Sequence, residues 1–478
     1  MNLRDIALRR LATLTPKYLP FADVATDEMP LSRLLRLSLF QVTVGMALVL
    51  LIGTLNRVMI VELSVPATLV AGMLALPLLF APFRTFIGFK SDTHKSALGW
   101  KRAPYIWKGT LYQFGGFAIM PFALLVLSGY GEAIDAPRWI GLSAAALAFL
   151  LVGAGVHMVQ TVGLALATDL VKDEDHPKVV GLMYVMLLVG MVVSAVIYGA
   201  LLANYSPGRL IQVIQGTAVV TVALNLTAMW KQEARDRARA REMETASNER
   251  FSVAWRSLTG QPGAKPLLVL IGLGTFGFGM ADVLLEPYGG QTLGFSVAQT
   301  TLLTAIFATG TLIGFAIASR VLATGRAPLH LATVGAAIGV PGFLAIILSS
   351  MAVGPTLFVA GTLAVGVGAG LFGHATLTAT IRNALTGRIG LSIGAWGAVQ
   401  ATCAGLGVLM AGIVRDVLVG LSGSMGIHAQ TPYNVVFGIE VVLLIITVLV
   451  ALPMIMRRGT GQNAQLKNVP QSNPVEVS

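Results

Sequence analysis

The chain has 478 residues, of which 55% are hydrophobic and only 12% charged, with 53 glycines and a mean hydropathy of +0.77. A soluble domain carries about 25% charged residues, so half that density points to a membrane and away from a water-soluble enzyme. The net charge of +11 is spread over many short loops, so no nucleic-acid partner is expected. Cys403 stands alone, so neither an intrachain disulfide nor a thiolate metal cluster is available. Residues 1–33 are charged and mixed, so no cleavable signal is expected, and the first apolar run is expected to act as the insertion signal.

A helix needs about 20 apolar residues to cross the hydrocarbon core. Runs of that kind fall at 37–56, 66–83, 105–128, 139–168, 178–202 and 209–230 in the first half. The second half offers 266–286, 297–319, 329–350, 356–380, 390–414 and 433–456. The expected fold is therefore an all-α integral membrane protein with twelve transmembrane helices in two six-helix pseudo-repeats and both termini cytoplasmic. The expected domains are a cytoplasmic arm (1–36), an N-terminal bundle (37–230), a linker (231–265), a C-terminal bundle (266–456) and a polar, disordered tail (457–478). The run 139–168 is long for one straight span, so a tilt or a projection into the cytoplasm is expected.

Charge placement supports that topology. On this reading 29 of the 33 Lys and Arg fall in segments assigned to the cytoplasm, and only Arg57, Arg138, Arg209 and Arg415 lie outside. Such an excess fixes orientation by the positive-inside rule. In the linker, Phe251, Val253, Trp255 and Leu258 alternate with Arg250 and Arg256, which predicts a short helix in the headgroup layer or a plain tether.

The halves share short words. Val152-Gly153-Ala154-Gly155 returns as Val367-Gly368-Ala369-Gly370, and Leu63-Ser64-Val65 parallels Phe295-Ser296-Val297. Polar residues inside the spans are costly unless paired or lining a cavity, so they mark candidate sites. Asp282 and Glu286, at i and i+4, share one face near the expected outer end of the seventh span. Arg57, at the outer end of the related first span, is the expected counter-charge, and a structural ion-pair cluster is the expected role. His157 and His374 fall in the fourth and tenth spans. Read through the repeated glycine word, His157 aligns with Phe372, so the two are not strict equivalents.

Between the second and third runs lies a basic loop containing Gly88-x-x-x-Asp92 and then Gly99-Trp100-Lys101-Arg102. This loop resembles the one joining helices two and three in the major facilitator superfamily, with about three extra residues between acid and second glycine. The words Ile87-Gly88-Phe89-Lys90-Ser91-Asp92-Thr93-His94, Gly99-Trp100-Lys101-Arg102-Ala103-Pro104-Tyr105-Ile106-Trp107, Ala167-Thr168-Asp169-Leu170 and Asp282-Val-Leu-Leu-Glu286-Pro-Tyr-Gly-Gly290 are similar to the PucC/LhaA family of photosynthetic bacteria. That family sits within the superfamily.

The resemblance implies a non-enzymatic factor of the bacterial inner, intracytoplasmic membrane that helps build a light-harvesting complex. Length, arm and tail favour the LhaA-like member, linked to the core antenna (LH1), over the PucC-like member, linked to the peripheral antenna (LH2). It implies bacteriochlorophyll as cofactor, with carotenoid or lipid beside it. Implied partners are light-harvesting alpha and beta polypeptides, the reaction centre–LH1 core, bacteriochlorophyll synthase or membrane insertion machinery, and membrane lipid. Carried over from the superfamily, Gly88, Asp92, Gly99, Lys101 and Arg102 would hold the two bundles together on the cytoplasmic side.

A neutral imidazole of His157 or His374 can ligate a chlorophyll magnesium. Equally, each can be a histidine hydrogen-bonded inside its bundle, with Gln160 or Thr161 a turn away from His157. Trp100, Tyr105, Trp107 and Tyr112 are candidates for stacking on a pigment, or form the ordinary interfacial belt. The competing function is a secondary transporter that moves a small hydrophobic or porphyrin-like solute by alternating access.

Overall fold

In the computed structural model, the described residues are 29–79, 87, 91, 100, 102–129, 133, 135–172, 175–233, 256, 260–261, 263–350, 354–383, 389–425 and 428–467. Twelve helices, α1 to α12, are followed here. The first half holds α1 (Leu31–Glu62), α2 (Ala67–Leu79), α3 (Ala103–Ser128), α4 (Arg138–Asp169), α5 (His176–Leu201) and α6 (Pro207–Met229). The second holds α7 (Ala264–Leu293), α8 (Val297–Ala323), α9 (Pro328–Leu348), α10 (Pro355–Arg382), α11 (Ile389–Met425) and α12 (Thr431–Lys467). Eleven of them are long and apolar enough to cross a membrane, and α2 is a shorter apolar helix. The arm through residue 28, most of the linker and residues 468–478 lie outside the described residues.

Several boundaries move. α1 extends from Leu31 to Glu62 instead of 37–56, so Arg57 lies within a helix and is only 4% exposed. α4 is one unbroken helix of 32 residues. Its length follows from the absence of any proline or charge between Arg138 and Asp169. α12 continues through the expected start of the polar tail to Lys467.

The most informative shift is in α7. The expected span stopped at 286, before Pro287. The helix instead breaks at Met280, resumes at Ala281 and runs through Pro287 to Leu293, where left-handed Gly294 ends it. The end was misplaced because Pro287 and Gly289-Gly290 read as a turn in sequence. Tyr288 is fully buried against Phe358, Tyr433 and Phe437, and that aromatic packing carries the chain on in helical form.

Within each half the tightest packing uses glycine. Gly155 of α4 sits where a Cβ would stand 2.5 Å from the Gly109 carbonyl oxygen of α3, and Gly370 of α10 where it would stand 2.2 Å from the Thr311 carbonyl oxygen of α8. The halves meet along α5 on α8 and α2 on α11, two contacts related by the internal repeat, and α1 packs on α7.

Hydrogen bonds define the two ends. At the end where α1 begins, here proximal, Arg33 bonds to Gln232, and Arg102 bonds to Asp169 and Glu233. At the opposite, distal end, Arg138 bonds to the Leu63 carbonyl, Thr68 to Asp416, and Arg57 to the Phe295 carbonyl.

Candidate functional site

At the proximal end, Arg102 is the hub of a clamp within the first half. The residue is 7% exposed. Its Nε donates to Asp169 Oδ2 at 3.0 Å and its Nη1 to Ser91 Oγ at 2.5 Å. Glu233, just past α6, accepts from the backbone amides of Arg102 and Ala103 at 2.8 to 3.1 Å. It serves as a distant acidic cap for the amino end of α3, where the helix dipole favours negative charge. Gly88, Asp92, Gly99 and Lys101 lie outside the described residues. Of the loop motif, Arg102 is therefore the member whose bonds are seen, and they fasten α3 to α4 and α6.

The aromatic candidates separate. Trp107 and Tyr112 on α3 are 37% and 43% exposed, whereas Trp100 and Tyr105 are partly buried, with Lys108 Nζ 5.6 Å from the Tyr105 ring centre. Trp107, Leu111, Phe114 and Phe122 follow helical spacing along one exposed face of α3, and Gly115 beside them opens onto free space. Sequence reasoning took the tryptophan and tyrosine and missed the leucine and phenylalanines, although their spacing was visible.

The two histidines lie on matching helix faces. Gly153 presses on Pro77 of α2, and Gly370 on Thr311 of α8, the helix related to α2 by the repeat. His157 and His374 each follow such a glycine by four residues, so they stand on corresponding faces of α4 and α10. Gly366, one turn before Gly370, also lies against α8 at Phe307, so the packing matches the faces of the two histidines and not their depth. His374 is 8% exposed, with its ring centre 4.1 Å from that of Phe315. At that exposure the imidazole has little room beside it for a macrocycle. His157 is only partly buried, so it fits a large planar pigment better.

The expected cluster of Arg57, Asp282 and Glu286 is rearranged. Arg57 pairs with Glu62, one turn along its own helix, and donates to the Phe295 carbonyl at 3.1 Å. Its guanidinium lies against Gly290 of α7, and the neighbouring Asn56 bonds to that helix, its Nδ2 donating to the Val283 and Asp282 carbonyls at 3.0 and 3.4 Å. The expectation failed because Glu62 was assigned no role, and it is the nearer acid. Beside this pair, burial and the Glu62 carboxylate push the Tyr205 hydroxyl above its ordinary range, with Arg57 pulling the other way. Asp282 lies eleven residues from the distal end of α7 and eighteen from its proximal end, far deeper than expected. Across the same seam, Thr54 and Thr301 hydroxyls are 3.1 Å apart, and within the second half Thr304 donates to Glu286 Oε1 at 2.9 Å.

The fold is shared with solved transporters. A bacterial homologue of the human lysosomal transporter Spinster, in its inward-facing state, aligns with TM-score 0.64 and 16% identity over 88% of this chain and 95% of its own. A mutant of the nucleoside transporter NupG aligns with TM-score 0.63 and 13% identity over 88% and 99%. At such identities the likeness concerns fold alone, and the protein is a multi-pass membrane protein with the major facilitator fold.

The chain belongs to the family described as PUCC protein, which matches residues 54–459. Protein PucC of Rhodobacter capsulatus is 69% identical over 96% of this chain and all of its own length. Protein PucC of Rhodovulum sulfidophilum is 60% identical over 91% and 95%. An uncharacterized protein of the puhA-bchM intergenic region of Rhodobacter capsulatus is 47% identical over 94% of each chain.

Proposed function

We propose that this protein is an assembly factor for a bacterial light-harvesting complex, holding bacteriochlorophyll, nascent antenna polypeptides or both at its lateral surface. Membership of the PUCC family across residues 54–459 carries this reading. The exposed aromatic face of α3 supports a location for the client, since Trp107 and Phe114 offer broad, stiff apolar surface to a pigment or an incoming transmembrane helix. His157 is the favoured magnesium ligand and His374 a packing residue of α10.

The sequence alone favoured the core antenna. The identities of 69% and 60% to proteins named PucC, against 47% to the intergenic-region protein, support the peripheral antenna as client instead. The proximal end faces the cytoplasm on this reading, with both termini there, the bundles at 37–230 and 266–456, and the intracytoplasmic membrane as location. The depth of Asp282 favours a second reading, alternating-access transport of a small hydrophobic or porphyrin-like solute, because a coupled transporter needs a titratable group near the membrane centre.

Site-specific photocrosslinking tests the first reading. A photoreactive residue at Phe114 is expected to capture antenna polypeptides in photosynthetically growing cells. The same residue at exposed Val219 of α6 (64% exposed) serves as the comparison and is expected to capture none. Equal capture at both positions, or at neither, counts against a client face on α3.

A further inference from the structure

Five carboxylates lie on the distal parts of four helices: Glu62 on α1, Asp282 and Glu286 on α7, Asp416 on α11 and Glu440 on α12. Two arginines face the same region, and each is already committed. Arg57 pairs with Glu62. Arg415 pairs with Asp416 at 2.8 Å and donates to Gln291, which also accepts from the Tyr433 hydroxyl. Among the described residues, no cation forms an ion pair with Asp282, Glu286 or Glu440. Asp282 nevertheless lies within electrostatic range of both other acids. Glu440 is 0% exposed and Glu286 3%.

Hydrogen is also in short supply there. Glu286 Oε1 accepts from Thr304, but its Oε2 and both oxygens of Glu440 have no donor. A separate, uncharged group shows the same deficit. Asn56 is fully buried and held by its Nδ2 on the carbonyls of the turn that carries Asp282, and its Oδ1 has no donor. Four buried acceptors in one region therefore lack hydrogens, and three acids lack counter-charge. An ionised, unpaired carboxylate is very costly at buried Glu286 and Glu440 and less so at partly buried Asp282, and a buried acceptor without a donor costs about 1–3 kcal/mol. A protonated carboxyl removes the charge and supplies an O–H donor in one step. The acids are not arranged to bind a metal instead: among the described residues, no group of three His, Cys, Asp or Glu is suitably placed.

Glu286 also reaches the packing between the halves. Gly53 of α1 lies against the Thr304 hydroxyl that serves Glu286, where a Cβ would stand 2.2 Å away. Asn56 falls between two π-helical stretches of α1, Val49–Leu55 and Val58–Glu62, a backbone form found frequently at functional sites. We propose that Asp282, Glu286 and Glu440 form a proton-binding site whose occupancy keeps the distal seam between the two halves closed. Losing the protons leaves negative charge with no partner, and parting the seam is the way to hydrate it. This inference does not depend on what the protein carries.

Infrared spectroscopy of the purified full chain tests the first half. The carboxylic C=O band is expected at about pH 7, declining as pH rises, and absent from D282N/E286Q/E440Q. No such band in the wild type, or a band unchanged in the variant, overturns the site. Disulfide trapping tests the coupling, with Thr54→Cys and Thr301→Cys in a Cys403→Ser background. Trapping is compared between chains with native acids and chains with neutral replacements, because thiol ionisation affects both alike. The ratio is expected to fall roughly three-fold between about pH 6 and about pH 9. A constant ratio overturns the coupling. If the triple variant does not accumulate, Glu440→Gln takes its place in both comparisons, and the wild-type titration stands by itself.

Discussion

Gly370→Ala is expected to destabilise the protein by about 1–3 kcal/mol, whereas Gly373→Ala, three residues along the same helix, is expected to be neutral or slightly stabilising. A methyl at 370 would stand 2.2 Å from the Thr311 carbonyl oxygen, backbone that cannot rotate away, so α8 and α10 must separate. A methyl at 373 meets nothing within 4 Å. Alanine is the better helix former, so intrinsic propensity alone would favour both changes. Thermal unfolding in detergent distinguishes the two variants. Equal melting temperatures would show that close backbone approach does not set the α8–α10 contact.

The second large effect concerns Arg102. Arg102→Gln removes the bonds to Asp169 and Ser91 and leaves their partners at the foot of three helices. The Asp169 side chain is 41% exposed, so the ion pair is partly screened and the expected cost is about 1–3 kcal/mol. Arg102→Lys is expected to rescue little, because one ammonium cannot reproduce a fork that serves two acceptors. The expected phenotype is less folded protein in the membrane and less antenna absorbance per cell. Full stability and full antenna in Arg102→Gln would make the clamp dispensable.

Fold class was legible because membrane insertion leaves a coarse signal. Apolar runs of about 20 residues and a one-sided excess of Lys and Arg survive any error of a few residues at the ends. Helix ends were harder to read. Pro287 and Gly289-Gly290 look like a turn, yet Tyr288 finds three aromatic neighbours that only tertiary structure supplies. Arg57 was read as an outer-loop charge because a charge normally ends a span. Its partner Glu62 lies five residues on, a spacing that shares a face only because this stretch is π-helical.

The site was legible in kind more than in detail. The glycines of α4 and α10 were seen to recur, but their faces were not visible, so the word match set the two histidines out of register. Packing against α2 and α8 shows that the two share a face. The significance of Glu440 emerged only through its fully buried position and its proximity to Asp282. Periodicity along one helix cannot reveal a meeting of α1, α7 and α12.

The most direct test of the assembly reading is an absorption spectrum of the protein purified in mild detergent from photosynthetically grown cells. The expected result is a near-infrared bacteriochlorophyll band that co-elutes with the protein, with antenna polypeptides in the same fraction. His157→Ala is expected to diminish that band, and His374→Ala to leave it in place where the fold is kept. Folded protein that elutes without pigment and without antenna polypeptides would contradict the account and leave transport as the better reading.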